Sequence, residues 1–410
     1  MGRDALAVIA MSIYLLATLD TKGAEAAFVR DRLCALGQSV TVVDVGGLGP
    51  ATAITADIPR EQVFAAAAFP FNPLQNHDRG TAVHAAAVGA ANLAAQAYAR
   101  GQLSGVLALG GSAGTTIGTA AMRALPIGVP KLMVSTLASG QVRPWVADKD
   151  ILMLNSVVDI AGINRISRRV LGEAAAAMAG LVQFRLAEQP SEKPLIAATM
   201  FGVTTPCVQR ARRILEEAGY EVLVFHATGN GGQAMESLIR DGLFVGVLDI
   251  TTTELADELV GGILSAGPDR LTAAGEMGIP QVVSLGALDM VNFGPRDTVP
   301  EKFASRQFHV HNSSVTLMRT TASENAQLGA LIAKKLSLAR GKSCLLIPLR
   351  GVSAIDRAGQ PFDDPPARQA LFNALRDGAG EVECLSLDCH INDEQFAVAA
   401  ANQLLRMLEN

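Results

Sequence analysis

The 410-residue sequence is poor in aromatic and in charged side chains. Aromatic residues make up 4% of the chain, charged residues make up 18%, and the formal net charge is −5 at pH 7. A nucleic-acid-binding protein is expected to present a basic surface and aromatic side chains on which bases stack. The composition offers neither, so we expect no nucleic-acid partner.

Cysteine is also scarce. The five cysteines are an odd number and form no C-x-x-C pair, which is typical of a reducing compartment and not of a disulfide framework. We therefore expect a cytoplasmic protein with free thiols. Cys384, Cys389 and His390 lie close together in the sequence, and packing at the end of a strand is favoured over a metal site for these three residues.

The apolar run near the start of the sequence is too short to span a bilayer comfortably. Residues 5–19 read ALAVIAMSIYLLATL, whereas a transmembrane helix needs about 20 apolar residues. The run leads directly into the polar segment DTKG. We interpret it as a buried first strand that begins at about Ile13, and we expect no association with a membrane.

Two standard nucleotide-binding motifs are absent. GKS at residues 341–343 has Leu336 where a Walker A motif requires glycine, and it precedes a predicted strand instead of following one. No G-x-G-x-x-G motif follows the first predicted strand. A standard dinucleotide-binding fold is therefore disfavoured.

Apolar runs of strand length alternate throughout the chain with longer, alanine-rich stretches. This alternation predicts parallel sheets covered by helices on both faces, and with 49% hydrophobic residues the chain can bury large cores. We predict strands at Ile13–Leu19, Val40–Val45, Gly105–Leu109, Lys131–Ser135, Ile151–Leu154, Leu195–Met200, Glu221–Phe225, Gly242–Leu248, Gln281–Leu285, Cys344–Pro348 and Glu381–Leu387.

The two halves of the chain resemble each other. LLATLDTKG in the first half parallels IAATMFGVTTP in the second, and the same spacing separates Gly37 from Asp44 and Gly219 from His226. The second half has a shorter segment before its next matched strand. The repeat predicts an α/β protein with two related doubly wound, mainly parallel-sheet, Rossmann-like domains.

A polar stretch that contains two prolines separates these halves. It covers residues 186–195 and is the best linker in the chain. We therefore predict an N-terminal domain at residues 1–190 and a C-terminal domain at residues 191–410, with a cleft between them. Ligands of such folds bind beyond the carboxyl ends of the strands where the winding reverses, and a cleft between domains is a second expected place.

Two loops rich in glycine and hydroxyl groups follow predicted strands of the first half. Glycine lets backbone N–H groups approach a ligand closely, and a helix N-terminus favours an anion. The loops therefore predict a phosphate site, although helix capping or tight turn packing would explain them without a ligand. The residues concerned are Asp20, Thr21 and Lys22 in the first loop and Gly110, Gly111, Ser112, Gly114, Thr115 and Thr116 in the second.

Charged residues near these loops suggest further roles. Lys22 supplies a point charge for phosphate, and Asp20 supplies a carboxylate that takes Mg²⁺ directly or through water. Asp44 ends the second predicted strand, where an acidic residue bonds a ribose hydroxyl in dinucleotide-binding folds. HATGNGGQAME and DITTTE in the second half are either a second ligand site or inherited turn geometry, and both interpretations remain open.

Two other polar segments are candidates for chemistry. His309 and His311 alternate, so on a strand they would share one face and either ligate a metal or share acid–base work. An anion or substrate contact through Arg319 is favoured over a metal there. FNPLQNHDRG at residues 71–80 is either a lid or binding loop, or a helix cap by Asn76 or Asp78.

The combined motifs resemble a known family. LLATLDTKG, GGSAGTT, HATGNGGQAME and HVHN…TLMRTT occur in this order, and they are similar to the family of bacterial and fungal proteins that includes the N-terminal region of the tomato mosaic virus resistance protein. The resemblance implies a two-domain α/β dimer whose first domain binds ATP with Mg²⁺. It places the nucleotide contacts on the two glycine-containing loops, whereas the role of Asp44 is our extrapolation.

The leading hypothesis is therefore a cytoplasmic, homodimeric ATP-binding protein. If it is an enzyme, we expect phosphoryl or adenylyl transfer onto a small acid, with Lys22 stabilising the phosphates and with Arg319 and His311 holding or activating the acceptor. A non-catalytic protein whose partner affinity responds to nucleotide is one alternative. An isomerase or hydrolase that uses the histidine pair on a phosphorylated small molecule is the other.

Overall fold

The computed structural model describes residues 11–69, 78–184 and 193–409. The chain divides into two compact units, Met1–Glu188 and Gln189–Asn410. The division is close to the predicted boundary, and most of the predicted linker lies outside the described residues. The predicted cleft between the domains stays a prediction.

The N-terminal unit contains one parallel sheet of five strands. Its order is β2-β1-β3-β4-β5, so the winding reverses between β1 and β3. All residues of β1 and β3 are buried, as expected for central strands covered on both faces. The strands are β1 (Ser12–Ala17), β2 (Val40–Asp44), β3 (Leu103–Gly110), β4 (Lys131–Ser135) and β5 (Leu152–Asn155).

Helices cover both faces of this sheet. Side chains of α1 and α6 form the core on one face, and those of α2, α3 and α4 form the core on the other. Where α3 crosses α2, a Cβ on Gly89 would lie 1.8 Å from the carbonyl oxygen of Val63, so only glycine fits. The helices are α1 (Leu19–Ala35), α2 (Arg60–Ala66), α3 (Arg79–Ala99), α4 (Ser112–Arg123), α5 (Arg143–Val146) and α6 (Arg165–Gln183).

The C-terminal unit has a six-stranded parallel sheet and a small antiparallel sheet. The orders are β14-β13-β9-β8-β6-β7 and β10-β12-β11. The strands are β6 (Leu195–Met200), β7 (Glu221–His226), β8 (Phe244–Thr251), β9 (Gln281–Gly286), β10 (Met290–Phe293), β11 (Phe308–Asn312), β12 (Val315–Arg319), β13 (Ser343–Pro348) and β14 (Glu383–Leu387).

Helices again cover both faces of the larger sheet. α7 and α13 pack on one face, and α8 to α12 pack on the other. A reciprocal cap between Thr321 and Glu324 begins α11. The helices are α7 (Thr205–Glu217), α8 (Asn230–Arg240), α9 (Thr253–Val260), α10 (Ala273–Met277), α11 (Ala322–Ser337), α12 (Pro365–Gly378) and α13 (Glu394–Glu409).

The two larger sheets share topology and an irregularity. Each begins with its second strand beside its first, and its third strand lies on the other side of the first. The pairing of β1 with β3 shifts after Ser12, and that of β6 with β8 shifts after Leu195, which is the corresponding first residue. The predicted α/β class with two related, mainly parallel sheets is therefore confirmed.

The apolar pattern of the sequence does not predict the small antiparallel sheet. Its members are short, and β10 and most of β12 are buried. In the described part of the chain, no helix combines the length and the hydropathy that a bilayer crossing requires.

Candidate functional site

A cavity of about 330 Å³ lies in the N-terminal unit, and residues that follow β1 and β3 line it. The winding of the sheet reverses between these two strands, which is where ligands of doubly wound sheets bind. The two predicted loops meet here, and they contribute Thr18, Asp20, Thr21 and Lys22 from the first and Gly111, Ser112, Ala113 and Gly114 from the second.

The N-terminus of α4 forms part of the cavity wall. Its N-cap is Gly111, which has no side chain to satisfy the first-turn N–H groups. Among the described residues, none accepts a hydrogen bond from the N–H of Ser112, Ala113 or Gly114. Unpaired N–H groups and the positive end of the helix dipole together favour an anion at this position.

The start of α1 is irregular at Lys22. This residue has non-helical angles (φ −126°, ψ 20°), and its N–H donates to the carbonyl oxygen of Thr18 over 2.7 Å. The next residue is glycine for reasons of packing, because a Cβ on Gly23 would lie 1.8 Å from the carbonyl oxygen of Thr52. The break therefore presents Lys22 at the cavity wall, and no carboxylate of the described residues pairs with its ammonium group.

Two cationic and two anionic side chains line the cavity, namely Lys22, Arg79, Asp20 and Asp159. Asp20 Oδ2 accepts hydrogen bonds from the N–H groups of Leu48 and Gly49, over 2.8 and 3.2 Å. Asp20 thereby holds the loop after β2 against the start of α1. The formal charge of these four side chains sums to zero.

Apolar side chains form the remaining wall. They come from the loop after β2, from α3 and from α4, and they are Val45, Leu48, Ala82, Val83 and Ile117. Small-molecule pockets combine such an apolar lining with a few placed polar groups, in cavities of roughly 300–1,000 Å³. The cavity therefore suits a ligand with an anionic part and an apolar part.

The structure gives Asp44 a different role from the predicted ribose contact. The side chain is 3% exposed, and Oδ1 accepts hydrogen bonds from the N–H groups of Leu19 and Gly46 over 3.1 and 2.9 Å. Burial raises the pKa of the Asp44 carboxyl, and these two hydrogen bonds lower it in part. Asp44 therefore fixes the start of α1 and does not line the cavity.

Three residues of the second predicted loop also serve the fold instead of the cavity wall. A Cβ on Gly110 would lie 2.8 Å from Cα of Gly114, so Gly110 allows strand and helix to approach. The hydroxyl of Thr115 donates to the carbonyl oxygen of Gly111, and that of Thr116 donates to the carbonyl oxygen of Ser112. The remaining predicted contacts, Asp20, Thr21, Lys22, Gly111, Ser112 and Gly114, do share the cavity.

The corresponding crevice of the C-terminal unit is occupied by its own side chains. Glu254, at the start of α9, is fully buried and accepts hydrogen bonds from the N–H groups of Gly229 and Gly232 over 2.7 and 3.1 Å. A carboxylate of the chain thus binds the glycine-rich turn at the start of α8. This favours inherited turn geometry over a second ligand site.

A buried arginine completes this occupied crevice. Arg270 is 0% exposed, donates to both carboxylate oxygens of Asp249 in β8, and bonds Glu254 Oε2 over 2.7 Å. Glu236 also contacts Arg270 and accepts hydrogen bonds from the N–H groups of Leu271 and Ala273, just before and at the start of α10. We call Arg270, Asp249, Glu254 and Glu236 the arginine cluster.

Arg319 is not available for an acceptor substrate, contrary to prediction. It is 4% exposed, and its guanidinium donates to the carbonyl oxygens of Phe362, Asp289 and Thr320. A further contact of 3.4 Å joins it to Asp356. Arg319 therefore fastens β12 to the loop that precedes α12.

The histidine pair does not share one regular strand face. The pairing of β11 with β12 shifts between Val310 and Asn312, so His311 lies at an irregularity. The ring of His309 contacts that of Phe362 edge to face, at 6.3 Å between centroids, and His311 is exposed. Among the described residues, no three His, Cys, Asp or Glu side chains form a metal-binding group.

The cysteine-containing segment packs at a strand end, as favoured. Cys389 is buried, and His390 Nε2 lies 2.8 Å from the carbonyl oxygen of Ser353. Burial lowers the pKa of His390, and the contact to Ser353 raises it in part. All five cysteines are free thiols.

The predicted lid or binding loop is only partly described, because residues 70–77 lie outside the described residues. Asp78 caps α3 by accepting hydrogen bonds from the N–H groups of Gly80 and Thr81, which is the helix-cap interpretation. The neighbouring Arg79 lines the cavity.

Family models match both units. The N-terminal domain model of the uncharacterised protein family UPF0261 matches residues 11–187, and the C-terminal domain model matches residues 193–408. The chain belongs to UPF0261. A UPF0261 protein of Clostridium tetani is 50% identical over 97% of this chain and 99% of its own length.

The UPF0261 resemblance extends to a plant protein. The ToMV resistance protein Tm-1(GCR237) of Solanum lycopersicum is 47% identical over 74% of this chain and 42% of its own length. The predicted family is thus confirmed. A solved UDP-N-acetylglucosamine 2-epimerase from Rickettsia bellii covers 98% of this chain and 96% of its own, at 9% identity and a TM-score of 0.24. That likeness carries no inference about function.

Sequence reasoning missed part of the UPF0261 cavity. Asp159 was overlooked because it is a single carboxylate in an otherwise apolar segment, and its position after the last strand of the sheet is the only available signal. Arg79 was predicted only as part of the lid or binding loop at residues 71–80. The apolar wall from α3 has no signal, because an alanine-rich helix looks the same whether it lines a cavity or a core.

Proposed function

We propose that the N-terminal unit binds ATP together with Mg²⁺ in the cavity between the loops after β1 and β3. The observation that supports this most directly is the uncapped N-terminus of α4 beside the unpaired ammonium group of Lys22. Backbone N–H groups at a helix N-terminus and a lysine point charge are a recurring means of binding phosphates. The apolar wall that includes Val45 and Val83 suits the base.

The charge of the cavity supports a divalent cation as part of the ligand. Lys22 and Arg79 are offset by Asp20 and Asp159, so the protein alone does not neutralise a triphosphate. Mg²⁺ is commonly held by one or two carboxylates together with substrate phosphates, and this donor set fits the two aspartates. When bound, the ion would supply Lewis-acid stabilisation of charge on the phosphates.

As an enzyme, the protein would transfer a phosphoryl or adenylyl group to a small acid. Lys22 and the N–H groups of α4 would stabilise negative charge that develops on the transferred group. Because Arg319 is bonded internally, the proposal no longer includes it as an acceptor contact, and the role of His311 stays a prediction.

Calorimetric titration tests the binding proposal. Purified protein is titrated with ATP, ADP and a sugar phosphate, each with Mg²⁺ and with EDTA, and ATP consumption is measured with candidate acids. We expect Mg²⁺-dependent ATP binding, and we expect Lys22→Ala to weaken it about tenfold or more because a charge-assisted contact contributes about 1.5–3 kcal/mol. The control is Lys342→Ala, which removes the same charge from an exposed position.

Each outcome separates the alternatives. ATP binding without consumption favours the non-catalytic, nucleotide-responsive protein. A preference for the sugar phosphate, with no ATP binding, favours an isomerase or hydrolase. Equal ATP affinity in wild type and Lys22→Ala would remove the proposed phosphate contact.

The family resemblance and the free thiols support two further proposals. We propose that the protein is a homodimer and that it functions in the cytoplasm. The five free cysteines suit a reducing compartment. Sedimentation analysis, which would give the mass of either one chain or two, tests the dimer.

A further inference from the structure

One carboxylate on the cavity wall, that of Asp159, has no partner among the described residues. Asp159 lies in the loop that follows β5, and its side chain is exposed. No described residue donates a hydrogen bond to this carboxylate or forms an ion pair with it. The backbone carbonyl oxygen of Asp159 accepts a hydrogen bond from the N–H of Ala161. Its carboxylate therefore lies at the cavity wall without a direct hydrogen bond or ion pair to a described residue.

The loop that carries Asp159 is held firmly on both sides. The N–H of Gly162 donates to Glu25 Oε1 of α1 over 2.6 Å, and Glu25 is only 2% exposed. On the other side, the N–H of Ser156 donates to the carbonyl oxygen of Ser135 in β4 over 3.2 Å. Both anchors limit how far Asp159 can withdraw from the cavity.

The same loop contains a costly backbone conformation. Val157 has φ of +65°, in the left-handed region, although it is β-branched and 67% exposed. Such a conformation is disfavoured for a β-branched side chain and persists where the surrounding structure imposes it. Packing of the valine side chain does not explain it, because that side chain lies mostly in solvent. The surrounding structure therefore fixes the backbone of this loop at Val157, two residues before Asp159.

The second carboxylate of the cavity is differently engaged. Asp20 Oδ2 already accepts hydrogen bonds from the N–H groups of Leu48 and Gly49. A Cβ on Gly46 would lie 2.9 Å from the Asp20 carboxylate, so the loop after β2 closes tightly over it. Asp20 is thus mainly a positioning residue for this loop, whereas Asp159 keeps both oxygens for a ligand.

We propose that Asp159 binds the Mg²⁺ ion of a bound Mg²⁺–nucleotide, directly or through a water molecule. This inference rests on the proposed function. An unpaired carboxylate beside a polyphosphate is repulsive unless a cation lies between them, and the carboxylate and phosphate oxygens together form the hard donor set that Mg²⁺ prefers. The proposal assigns the metal to a residue outside both predicted loops.

The test compares ATP affinity with Mg²⁺ and with EDTA for three proteins. They are the wild type, Asp159→Asn, and Asp31→Asn, which removes the same charge from an exposed position on α1. We expect the Asp159 variant to lose about tenfold or more of the Mg²⁺-dependent gain in affinity, while its affinity in EDTA stays equal or improves. The electron paramagnetic resonance spectrum of Mn²⁺ with ADP gives a readout that is independent of activity.

The outcomes distinguish this inference from the proposed function. If the wild type binds ATP with help from Mg²⁺ and Asp159→Asn does so equally, the metal assignment is overturned and the nucleotide site stands. A loss of affinity that is the same in Mg²⁺ and in EDTA also overturns it, because Asp159 would then contact the nucleotide itself. No ATP binding by the wild type overturns both.

Discussion

The crevice beside the first and third strands of the sheet is open in the N-terminal unit and filled by side chains in the C-terminal unit. In the N-terminal unit the crevice between β1 and β3 is an open cavity whose helix N-terminus lacks a cap. In the C-terminal unit the crevice beside β6 and β8 holds Arg270 and Glu254, both 0% exposed. Glu254 shows that the chain itself can supply the carboxylate that a glycine-rich turn binds, here the turn between β7 and α8.

The difference arises from the connections that follow the corresponding helices α4 and α9. Residues 124–130 connect α4 to β4, whereas residues 261–280, which include α10, connect α9 to β9. The longer connection carries Arg270 into the crevice. It also packs against the glycine-rich turn, since a Cβ on Gly229 would lie 2.7 Å from the carbonyl oxygen of Ser265.

The largest expected effect is a loss of stability when Arg270 is removed from the crevice of the C-terminal unit. Arg270→Ala leaves three buried carboxylates without their shared cation, and removing one partner of a buried ion pair typically costs about 3–5 kcal/mol. Denaturant unfolding followed by circular dichroism measures the loss. Arg169→Ala, which breaks an exposed pair on α6, should cost less than about 1 kcal/mol, and equal losses in both variants would contradict the comparison.

The stability of the C-terminal unit should depend on pH because of a buried carboxyl in α9, next to the connection at residues 261–280. Asp257 bonds the N–H of Leu264 and the backbone and side chain of Asn292, and burial raises the pKa of its carboxyl to about 7. Because the folded state retains a proton that the unfolded chain has released, stability falls as pH rises from about 5 to 7. One such proton contributes up to about 1.4 kcal/mol per pH unit.

Unfolding free energies at pH 5 and pH 7 measure this slope. Asp257→Asn should reduce the slope by up to about 1.4 kcal/mol per pH unit, which is the contribution of one proton. Glu217→Gln, an exposed substitution on α7, should leave the slope unchanged. Part of the slope should survive in both, because burial and the neighbouring Asp356 also raise the pKa of Asp289 to about 7. An identical slope in wild type and Asp257→Asn would count against the buried, protonated carboxyl.

The smallest expected effect concerns the open cavity. The hydroxyl of Thr116 donates to the carbonyl oxygen of Ser112 within α4 and does not line the cavity wall. Thr116→Ala should therefore change ATP affinity by less than about twofold, in contrast to Lys22→Ala. A tenfold loss in the calorimetric titration would return Thr116 to the set of ligand contacts.

Much of the architecture was predictable because parallel strands covered on both faces are continuous apolar runs. The predictions for β4 and β6 match the observed bounds, and the other predicted strands differ only at their ends. The antiparallel sheet was missed because β10 and β12 are short and adjoin polar residues, so their apolar runs do not stand out.

The parts of the site formed by backbone groups were predictable from the sequence. The side chains that could bond either a ligand or the protein itself were not. The glycine and hydroxyl residues after β1 and β3 indicated a junction for anions, and most of them do line one cavity. Asp44 and Arg319 have the chemistry of ligand contacts, but their bonds run to backbone groups. Such choices depend on tertiary packing, which spacing in the sequence does not encode.

The self-occupied crevice has a consequence for the tolerance of the chain to random substitution. In a saturation library, changes at Arg270 or Glu254 would be eliminated by a selection for folded protein. Under the proposed function, changes at Lys22 or Ser112 would pass that selection and be eliminated only by a screen for nucleotide binding. Two selections applied to one library would therefore separate the crevices by phenotype.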